Sequence, residues 1–378
     1  HKEMMPQFTS TENSKVANNL VIGSILFSVG LFKKAVIADG FAVYANPVFG
    51  LASTGTELDL FSAWLGALAY AFQLYFDFSG YSEMALGLAR MFGITLPINF
   101  NSPFKQASII GFWGHWHITL TRFFTAYIYN PISLSITRSR ARKRLTLTRT
   151  SPVAFFTLVA FPTLITMTLA GLWHGAGAQY VVFGLLHGSY LTVNHAWRLS
   201  RPKFWPNDKT YYRVMRPFGW LITFISVVVG MVFFRADSVS AALQVIEGMC
   251  GLNGALIPTG LAQQFPLMAK IGMFFGIEPA QHLGKDFVKS VFWVFGGLGV
   301  CLIFPNILHI LREHNPVLNM PEVSQTVRPE ANLLSNFFYR LQNVKWQPTS
   351  LWLYVNVVVV IAGILGLSQV TEFLYWQF

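Results

Sequence analysis

The sequence is short of charge and of cysteine. Only 11% of its 378 residues are charged, 53% are hydrophobic, and the mean hydropathy is +0.47. A typical soluble domain has about 25% charged residues, so the composition excludes a large soluble enzyme and indicates an integral membrane protein. The two cysteines, Cys250 and Cys301, form no CxxC pattern or disulfide framework. We predict that both pack as small apolar side chains and that the chain has no metal site.

Acidic residues are missing from a long internal stretch, because no aspartate or glutamate lies between Glu83 and Asp208. This excludes a local carboxylate pair of the glycosidase kind. The P-loop, GxGxxG, HExxH and GxSxG patterns are absent as well. A histidine in this stretch that needs a carboxylate partner must find it elsewhere, for example in Asp77 or Glu83.

Basic residues are concentrated in two loops, and the formal net charge is +11. Residues 138–149 contain six basic residues and no acidic one, and residues 198–216 contain six basic residues and one acid, Asp208. In membrane proteins such loops face the cytoplasm by the positive-inside rule, so orientation explains the charge better than nucleic-acid binding. The alternative is that these loops bind anionic headgroups or the phosphates of a nucleotide-bearing donor.

Apolar runs of about 20 residues, the length that crosses a bilayer, recur along the chain. The predicted spans are 19–39, 60–78, 153–172, 178–197, 217–234, 289–311 and 350–368. Residues 107–130 are apolar but carry two histidines and an arginine, so we expect a helix that is buried or re-entrant. The predicted fold is an all-α, polytopic transmembrane helical bundle.

Helix breaks and ion pairs are predicted around the second span. Ser79 and Gly80 follow it directly and indicate a break with a new helix start, because serine is a favoured N-cap. Asp77 ends the span, and we predict that it pairs with an arginine such as Arg90.

Two tryptophan–histidine pairs, Trp116-His117 and Trp173-His174, are the candidates for chemistry. His174 lies in a glycine-flanked turn between two apolar segments. A neutral imidazole there can take a proton from an alcohol, and such general-base assistance contributes about 10²–10⁴ in rate. The alternative is a helix-end histidine bonded to a backbone carbonyl, and the residues alone favour neither. His117 alone is better explained as a hydrogen-bonded residue in a crowded helix, and His187 as a packing residue that bridges helices.

Several sequence blocks then resemble, in order, the membrane-bound O-acyltransferase family. They are Tyr75-Phe-Asp-Phe-Ser-Gly-Tyr-Ser-Glu-Met-Ala-Leu-Gly-Leu-Ala-Arg-Met-Phe-Gly93, Phe112-Trp-Gly-His-Trp-His-Ile-Thr-Leu120, Leu172-Trp-His-Gly175, Gly184-Leu-Leu-His-Gly188 and Phe233-Phe-Arg-Ala-Asp-Ser238. The resemblance is to the bacterial branch that includes the alginate O-acetylation membrane protein and the D-alanyl transfer protein of teichoic acid. It runs from about residue 20 to residue 245.

This resemblance implies a helical bundle around a central tunnel and acyl transfer to a hydroxyl. The family's invariant histidine corresponds to His174, its second site histidine to His117, and a further histidine to His187. Trp116, Trp173 and His187 are expected to bind substrate or line the tunnel, although interfacial packing would explain the two tryptophans equally well. A single family domain is expected over residues 1–378, with the family's first helices missing from its start.

The resemblance also implies a pathway. We expect an O-acetyltransferase of the bacterial inner membrane that binds no cofactor, is embedded in membrane lipid and takes acetyl from cytoplasmic acetyl-CoA. The acceptor would be an exported polysaccharide such as alginate, reached directly or through a periplasmic SGNH-type acetyltransferase partner. Nucleic acid is not an expected partner.

The chain departs from the family pattern mainly around the first Trp-His pair. The common Phe-Trp-Arg-Arg-Trp-His is Phe112-Trp-Gly-His-Trp-His117 here, and the expected Arg-Asp is Thr125-Ala126. The usual Tyr-Ile-Pro-Leu-Gly-Gly is Tyr129-Asn-Pro-Ile-Ser-Leu134. These changes affect the predicted contact with the donor or carrier and leave both site histidines in place.

Two other classes of function fit parts of the sequence. A transporter or flippase could use the histidines as a proton relay, and consumption of acetyl-CoA separates it from an acyltransferase. A membrane b-type haem protein could use His117 and His174 as axial ligands. A visible absorption spectrum without a Soret band excludes that class.

Overall fold

A computed structural model describes residues 3–8, 16–148, 151–280, 285–318, 320 and 333–367. These residues are predominantly helical, which confirms the predicted all-α class. The α-helices are α1 (Met5–Phe8), α2 (Val16–Phe32), α3 (Asp39–Ser53), α4 (Leu60–Met91), α5 (Ile109–Trp113), α6 (Ile118–Phe124), α7 (Asn130–Arg142), α8 (Pro152–Phe155), α9 (Phe161–Trp173), α10 (Ala178–Phe204), α11 (Asp208–Arg235), α12 (Val239–Met249), α13 (Thr259–Gln264), α14 (Pro266–Phe274), α15 (Lys285–Ile303), α16 (Ile307–Ile310), α17 (Leu333–Gln342) and α18 (Ser350–Gly366).

The remaining regular structure of the described chain consists of short segments. π-Helical turns at Lys33–Ala38, Thr125–Tyr129 and Phe156–Ala160 join successive α-helices, and 3-10 turns lie at Pro103–Lys105 and Arg312–His314. Two four-residue strands, β1 (Ala255–Pro258) and β2 (Ile277–Ala280), pair in parallel with Ala255 opposite Ile277. Helices therefore provide almost all of the packing.

Four helical stretches of the described chain are long and apolar enough to cross a membrane. They are Val16–Ser53, Pro152–Trp173, Asp208–Arg235 and Asp286–His314, and Ser350–Gly366 is a shorter apolar helix. Each coincides with a predicted span. The first differs from its prediction, because the helix does not end near residue 39 but continues to Ser53 through one π-helical turn.

The described residues form two compact units. The first unit lies within His1–Ala42, Phe72–Ser102 and Phe295–Gln377, and the second lies within Val43–Ala71 and Pro103–Val294.

In the first unit, α2 and α4 cross through paired glycines. A Cβ atom on Gly30 would lie 2.5 Å from the Gly80 carbonyl oxygen, and one on Gly23 would lie 2.6 Å from the Gly87 carbonyl oxygen. Small residues allow such close approach of helices inside membranes. The predicted break at Ser79 and Gly80 is therefore wrong, because Gly80 lies inside the continuous helix α4 as a contact residue.

The first unit also contains a network of buried ion pairs, which we call the lysine–carboxylate network. Lys33 pairs with Glu83, and the Nζ atom of Lys34 lies 2.8 Å from Asp39 Oδ1 and 3.0 Å from Asp77 Oδ1. Asp77 and Glu83 are 1% and 5% exposed. The predicted pairing of Asp77 with an arginine is wrong, because its partner is Lys34, and Arg90 instead donates to Thr95 and the His314 carbonyl.

In the second unit, α9 and α10 form a helical hairpin that is held closely together by glycines. A Cβ atom on Gly171 would lie 2.2 Å from the Tyr180 carbonyl oxygen, and one on Gly184 would lie 2.4 Å from the Met167 carbonyl oxygen. The backbones therefore touch along the hairpin. The turn between the two helices contains residues 174–177. The close approach of α9 and α10 determines the position of this turn.

Candidate active site

His174 lies at the tip of the α9–α10 hairpin. It directly follows the last residue of α9 as its C-cap, and its backbone N–H donates to the Gly171 carbonyl at 3.0 Å. The side chain is 8% exposed. The next residue must be glycine, because a Cβ atom on Gly175 would lie 2.5 Å from the Tyr180 ring. The glycine-flanked turn predicted from the sequence is thus a tight corner that buries the imidazole.

Aromatic rings surround the His174 imidazole. Its ring centroid lies 4.8 Å from that of Trp173, 4.8 Å from that of Phe234 and 6.4 Å from that of Phe183, all in edge-to-face arrangements. Rings at these distances favour such geometry because the positive edge of one meets the negative face of the other. The surroundings exclude much of the water and hold the imidazole in one orientation.

His117 lies between two short helices, not within one. α5 ends at Trp113, α6 begins at Ile118, and His117 is the N-cap of α6 with φ 43° and ψ 54°. This is the left-handed region, which costs a residue with a Cβ about 1–2 kcal/mol. The predicted buried or re-entrant segment is therefore two short helices joined by a constrained turn, and its neighbours hold His117 in an unfavourable backbone conformation.

Both predicted site histidines lie in the second unit. The imidazoles of His117 and His174 are close enough to interact electrostatically. His115, two residues before His117, bonds back to α5, where its Nδ1–H donates to the Gly111 carbonyl at 2.8 Å.

His187 lies within α10 and is 1% exposed. Its Nδ1 atom accepts a hydrogen bond from the Trp113 indole N–H at 3.3 Å, and its ring packs against Phe183 at 4.6 Å between centroids. On the opposite side a Cβ atom on Gly230 of α11 would lie 2.4 Å from its Nε2 atom. His187 therefore bridges helices, as the residue pattern alone indicates.

The two tryptophans of the Trp-His pairs differ in their surroundings. Trp116 is 8% exposed and stacks on Phe112, with 5.5 Å between ring centroids. Trp173 is 54% exposed and only its edge contacts His174. That either residue lines a tunnel stays a prediction.

The C-terminal end of α11 packs against His174. Phe234 contacts His174, and the next residue, Arg235, places its guanidinium over the rings of Phe49 at 5.4 Å and Tyr70 at 5.9 Å. Asn46 accepts from Arg235 at 3.2 Å. The Phe-Phe-Arg block therefore anchors the helix end that carries Phe234.

Sequence reasoning missed Trp113 and Gly230, two residues that pack against His187. Trp113 belongs to the Phe112-Trp-Gly-His-Trp-His117 block, but nothing in the sequence indicates that its indole donates to a residue of α10. Gly230 is one glycine among 30, and only the close approach of α11 to His187 explains it. Among the described residues, no group of three or more His, Cys, Asp or Glu side chains could hold a metal ion.

The family model of MBOAT, the membrane-bound O-acyltransferase family, matches residues 1–234. The chain belongs to this family. That range contains His117, His174 and His187, so the resemblance drawn from the sequence blocks is confirmed. Together with the apolar helices, membership identifies a multi-pass membrane protein.

Several curated proteins are similar to this chain. The peptidoglycan O-acetyltransferase of Helicobacter pylori is 42% identical over 256 residues, which are 67% of this chain and 44% of that protein. A protein of Pseudomonas aeruginosa named as a probable alginate O-acetylase AlgI is 37% identical over 249 residues, 66% of this chain and 42% of that protein. The teichoic acid D-alanyltransferase of Streptococcus thermophilus is 35% identical over 128 residues, 34% of this chain and 28% of that protein. The chain thus spans less than half the length of these relatives.

Proposed function

We propose that this protein is an O-acetyltransferase of the bacterial inner membrane that moves acetyl from a cytoplasmic donor towards a hydroxyl of an exported cell-surface polysaccharide. Family membership and the names of the relatives support acyl transfer, and two of those names specify O-acetylation of peptidoglycan or alginate. The observation that carries the proposal is the place of His174 in the family-matched region, where it is buried among aromatic rings at the tip of the hairpin.

In the proposed mechanism, His174 is the general base. Its neutral imidazole takes the proton of the acceptor hydroxyl while that oxygen attacks the carbonyl carbon of the acetyl thioester. The tetrahedral intermediate then expels the thiolate, which receives the proton from His174 and leaves as a thiol. Burial among aromatic rings disfavours the charged imidazolium, which would lack hydrating water, so His174 enters this step in the neutral form that can accept a proton.

His117 is proposed to orient the acetyl group or stabilise the charge that develops on its carbonyl oxygen. A hydrogen-bond donor placed where the oxyanion forms contributes about 10²–10³ in rate in other acyl-transfer enzymes. The left-handed backbone of His117 fixes the direction from which its side chain leaves the turn. Such a fixed donor is already in place when the charge develops.

A donor and a partner are part of the proposal. Acetyl-CoA is the proposed donor, and exposed basic residues of the described chain offer contacts for its phosphates. They are Arg138, Arg142, Lys143, Arg144, Arg198, Lys203, Lys209, Arg213 and Arg216. A periplasmic SGNH-type acetyltransferase is the proposed partner that completes transfer to the polymer.

His174→Ala tests this function in cells that depend on the protein for polymer acetylation. We expect acetyl incorporation into the polymer to fall by about 10²–10⁴, with an unchanged amount of protein in the membrane. The matched control is His195→Ala, which removes another histidine that follows the turn on α10 and should leave acetylation unchanged. Full acetylation by the His174→Ala protein would overturn the assignment.

A further inference from the structure

His187 is fully buried, and its hydrogen bond defines its protonation. A buried imidazole needs polar partners, because an unsatisfied polar group in an apolar interior is costly. The indole N–H of Trp113 can only donate, so the Nδ1 atom that it reaches at 3.3 Å carries a lone pair. The two rings meet almost perpendicularly, at 88°, with 5.2 Å between centroids. His187 is therefore a neutral acceptor towards Trp113.

The same residue cannot move, because packing surrounds it. Phe183 and Tyr190 of α10 contact its ring at 4.6 Å and 5.6 Å between centroids. α11 approaches so closely at Gly230 that a Cβ atom there would lie 2.4 Å from the Nε2 atom. His187 thus gives Trp113 a rigid acceptor and offers little room for a substrate of its own.

The hydrogen bond from Trp113 is one of two that attach α5 to α10. The other runs from the Ile110 backbone N–H to Asn194 Oδ1 at 3.4 Å. His187 and Asn194 lie about two turns apart on α10, hence on one side of that helix. α5 has five residues and is too short to be stable alone, so these contacts with α10 hold it in place.

The end of α5 that Trp113 anchors leads directly into the turn of His117. The backbone N–H of Trp116 donates to the Phe112 carbonyl at 2.8 Å, and the Trp116 ring stacks on that of Phe112. His117 then adopts its left-handed conformation, which persists only where the surroundings impose it. A shift of Trp113 would therefore change where the His117 imidazole lies.

We infer that His187 is a positioning residue for the reaction, because its bond to Trp113 holds residues 113–117 and with them the place of the His117 imidazole. This inference rests on the proposed acetyl transfer. It assigns His187 no contact with the acyl group and gives Trp113 a defined part in the site. A displacement of about 1 Å at a reacting centre can cost 10²-fold in rate, so the bond between two residues outside the chemistry carries a measurable effect.

Three variants that change either the acceptor or the donor test this hydrogen bond. His187→Phe keeps a ring but removes the acceptor, Trp113→Phe removes the donor, and His187→Asn keeps an acceptor near the Nδ1 position. Rates of acetyl transfer are measured with membrane-embedded protein and acetyl-CoA, at saturating and at limiting concentrations. We expect His187→Phe and Trp113→Phe to lower kcat about 10- to 100-fold, with little change in KM and no further loss when combined. His187→Asn should restore most of the rate.

The controls separate positioning from folding and from the proposed function. His195→Phe makes the same exchange at another position of α10 and should leave kcat unchanged. If His187→Phe reduces the amount of folded protein, Trp113→Phe tests the same hydrogen bond by removing its donor. An unchanged kcat in Trp113→Phe, or a loss in His187→Asn equal to that in His187→Phe, overturns the inference. Activity of His174→Ala in this assay would instead overturn the proposed function.

Discussion

Two regions of this protein bury ionisable side chains, and they accommodate those side chains differently. The lysine–carboxylate network of the first unit pairs opposite charges, Lys33 with Glu83 and Lys34 with Asp39 and Asp77. The histidine region of the second unit places imidazoles among aromatic rings. A paired charge gains stability from its partner, whereas an imidazole that can become neutral is available for proton transfer. Under the proposed function, the network maintains the structure and the histidines carry the reaction.

The largest expected effect on stability is at Lys33. Lys33→Met leaves the buried Glu83 carboxylate without its partner, and breaking a buried pair in this way costs about 3–5 kcal/mol. We expect a much lower unfolding temperature and less protein in the membrane. The double variant Lys33→Met/Glu83→Leu should recover most of the loss, because an apolar pair replaces the ion pair. A double variant as unstable as the single one would show that the network does more than neutralise charge.

A smaller loss of stability is expected at Gly171 in the histidine hairpin. Gly171→Ala places a methyl group against the Tyr180 carbonyl oxygen, and such overpacking typically costs about 1–3 kcal/mol. Because the change separates α9 from α10, activity should fall together with the unfolding temperature. Gly50→Ala is the matched control, since no atom lies within 4 Å of a Cβ there. Equal behaviour of the two variants would contradict the role given to close helix contact.

The strained backbone of His117 predicts a difference between two variants. His117→Gly should be about 1 kcal/mol more stable than His117→Ala, because glycine adopts φ of 43° without a steric penalty. Position 174 is the control, since φ is −79° there and glycine gains no such advantage. Unfolding temperatures of the four proteins measure this difference. Equal stability of the two variants at position 117 would mean that the turn is not strained.

The smallest effect is expected at Trp173. Its ring is 54% exposed and contacts His174 by an edge, and aromatic pairs contribute about 0.5–1.5 kcal/mol. Trp173→Phe keeps a ring at this place, so acetyl transfer should change by only about twofold, or about 0.5 kcal/mol. A loss of activity as large as that of His174→Ala would assign Trp173 a direct role.

Much of the helical fold and the family could be predicted from the sequence, because apolar runs and fixed motif blocks are local signals, and that His117 and His174 form the site stays a prediction. The long-range contacts could not. Gly80 has the pattern of a helix break, yet it is the place where α2 approaches α4. The partner of Asp77 is Lys34, in the π-helical turn that follows α2, and not the nearby Arg90. Trp113 gains its importance only from an acceptor on α10. In each case the structural role of the residue depends on a segment that is distant in the sequence.

The most direct test compares the two regions in one assay of purified, membrane-embedded protein. The measured quantity is the transfer of labelled acetyl from acetyl-CoA, expressed per folded molecule, for His174→Gln and for Lys33→Met/Glu83→Leu. We predict that His174→Gln is folded but inactive, and that the double variant transfers acetyl at close to the wild-type rate. Wild-type transfer by His174→Gln, or an inactive but folded double variant, would contradict the division of roles between the histidines and the lysine–carboxylate network.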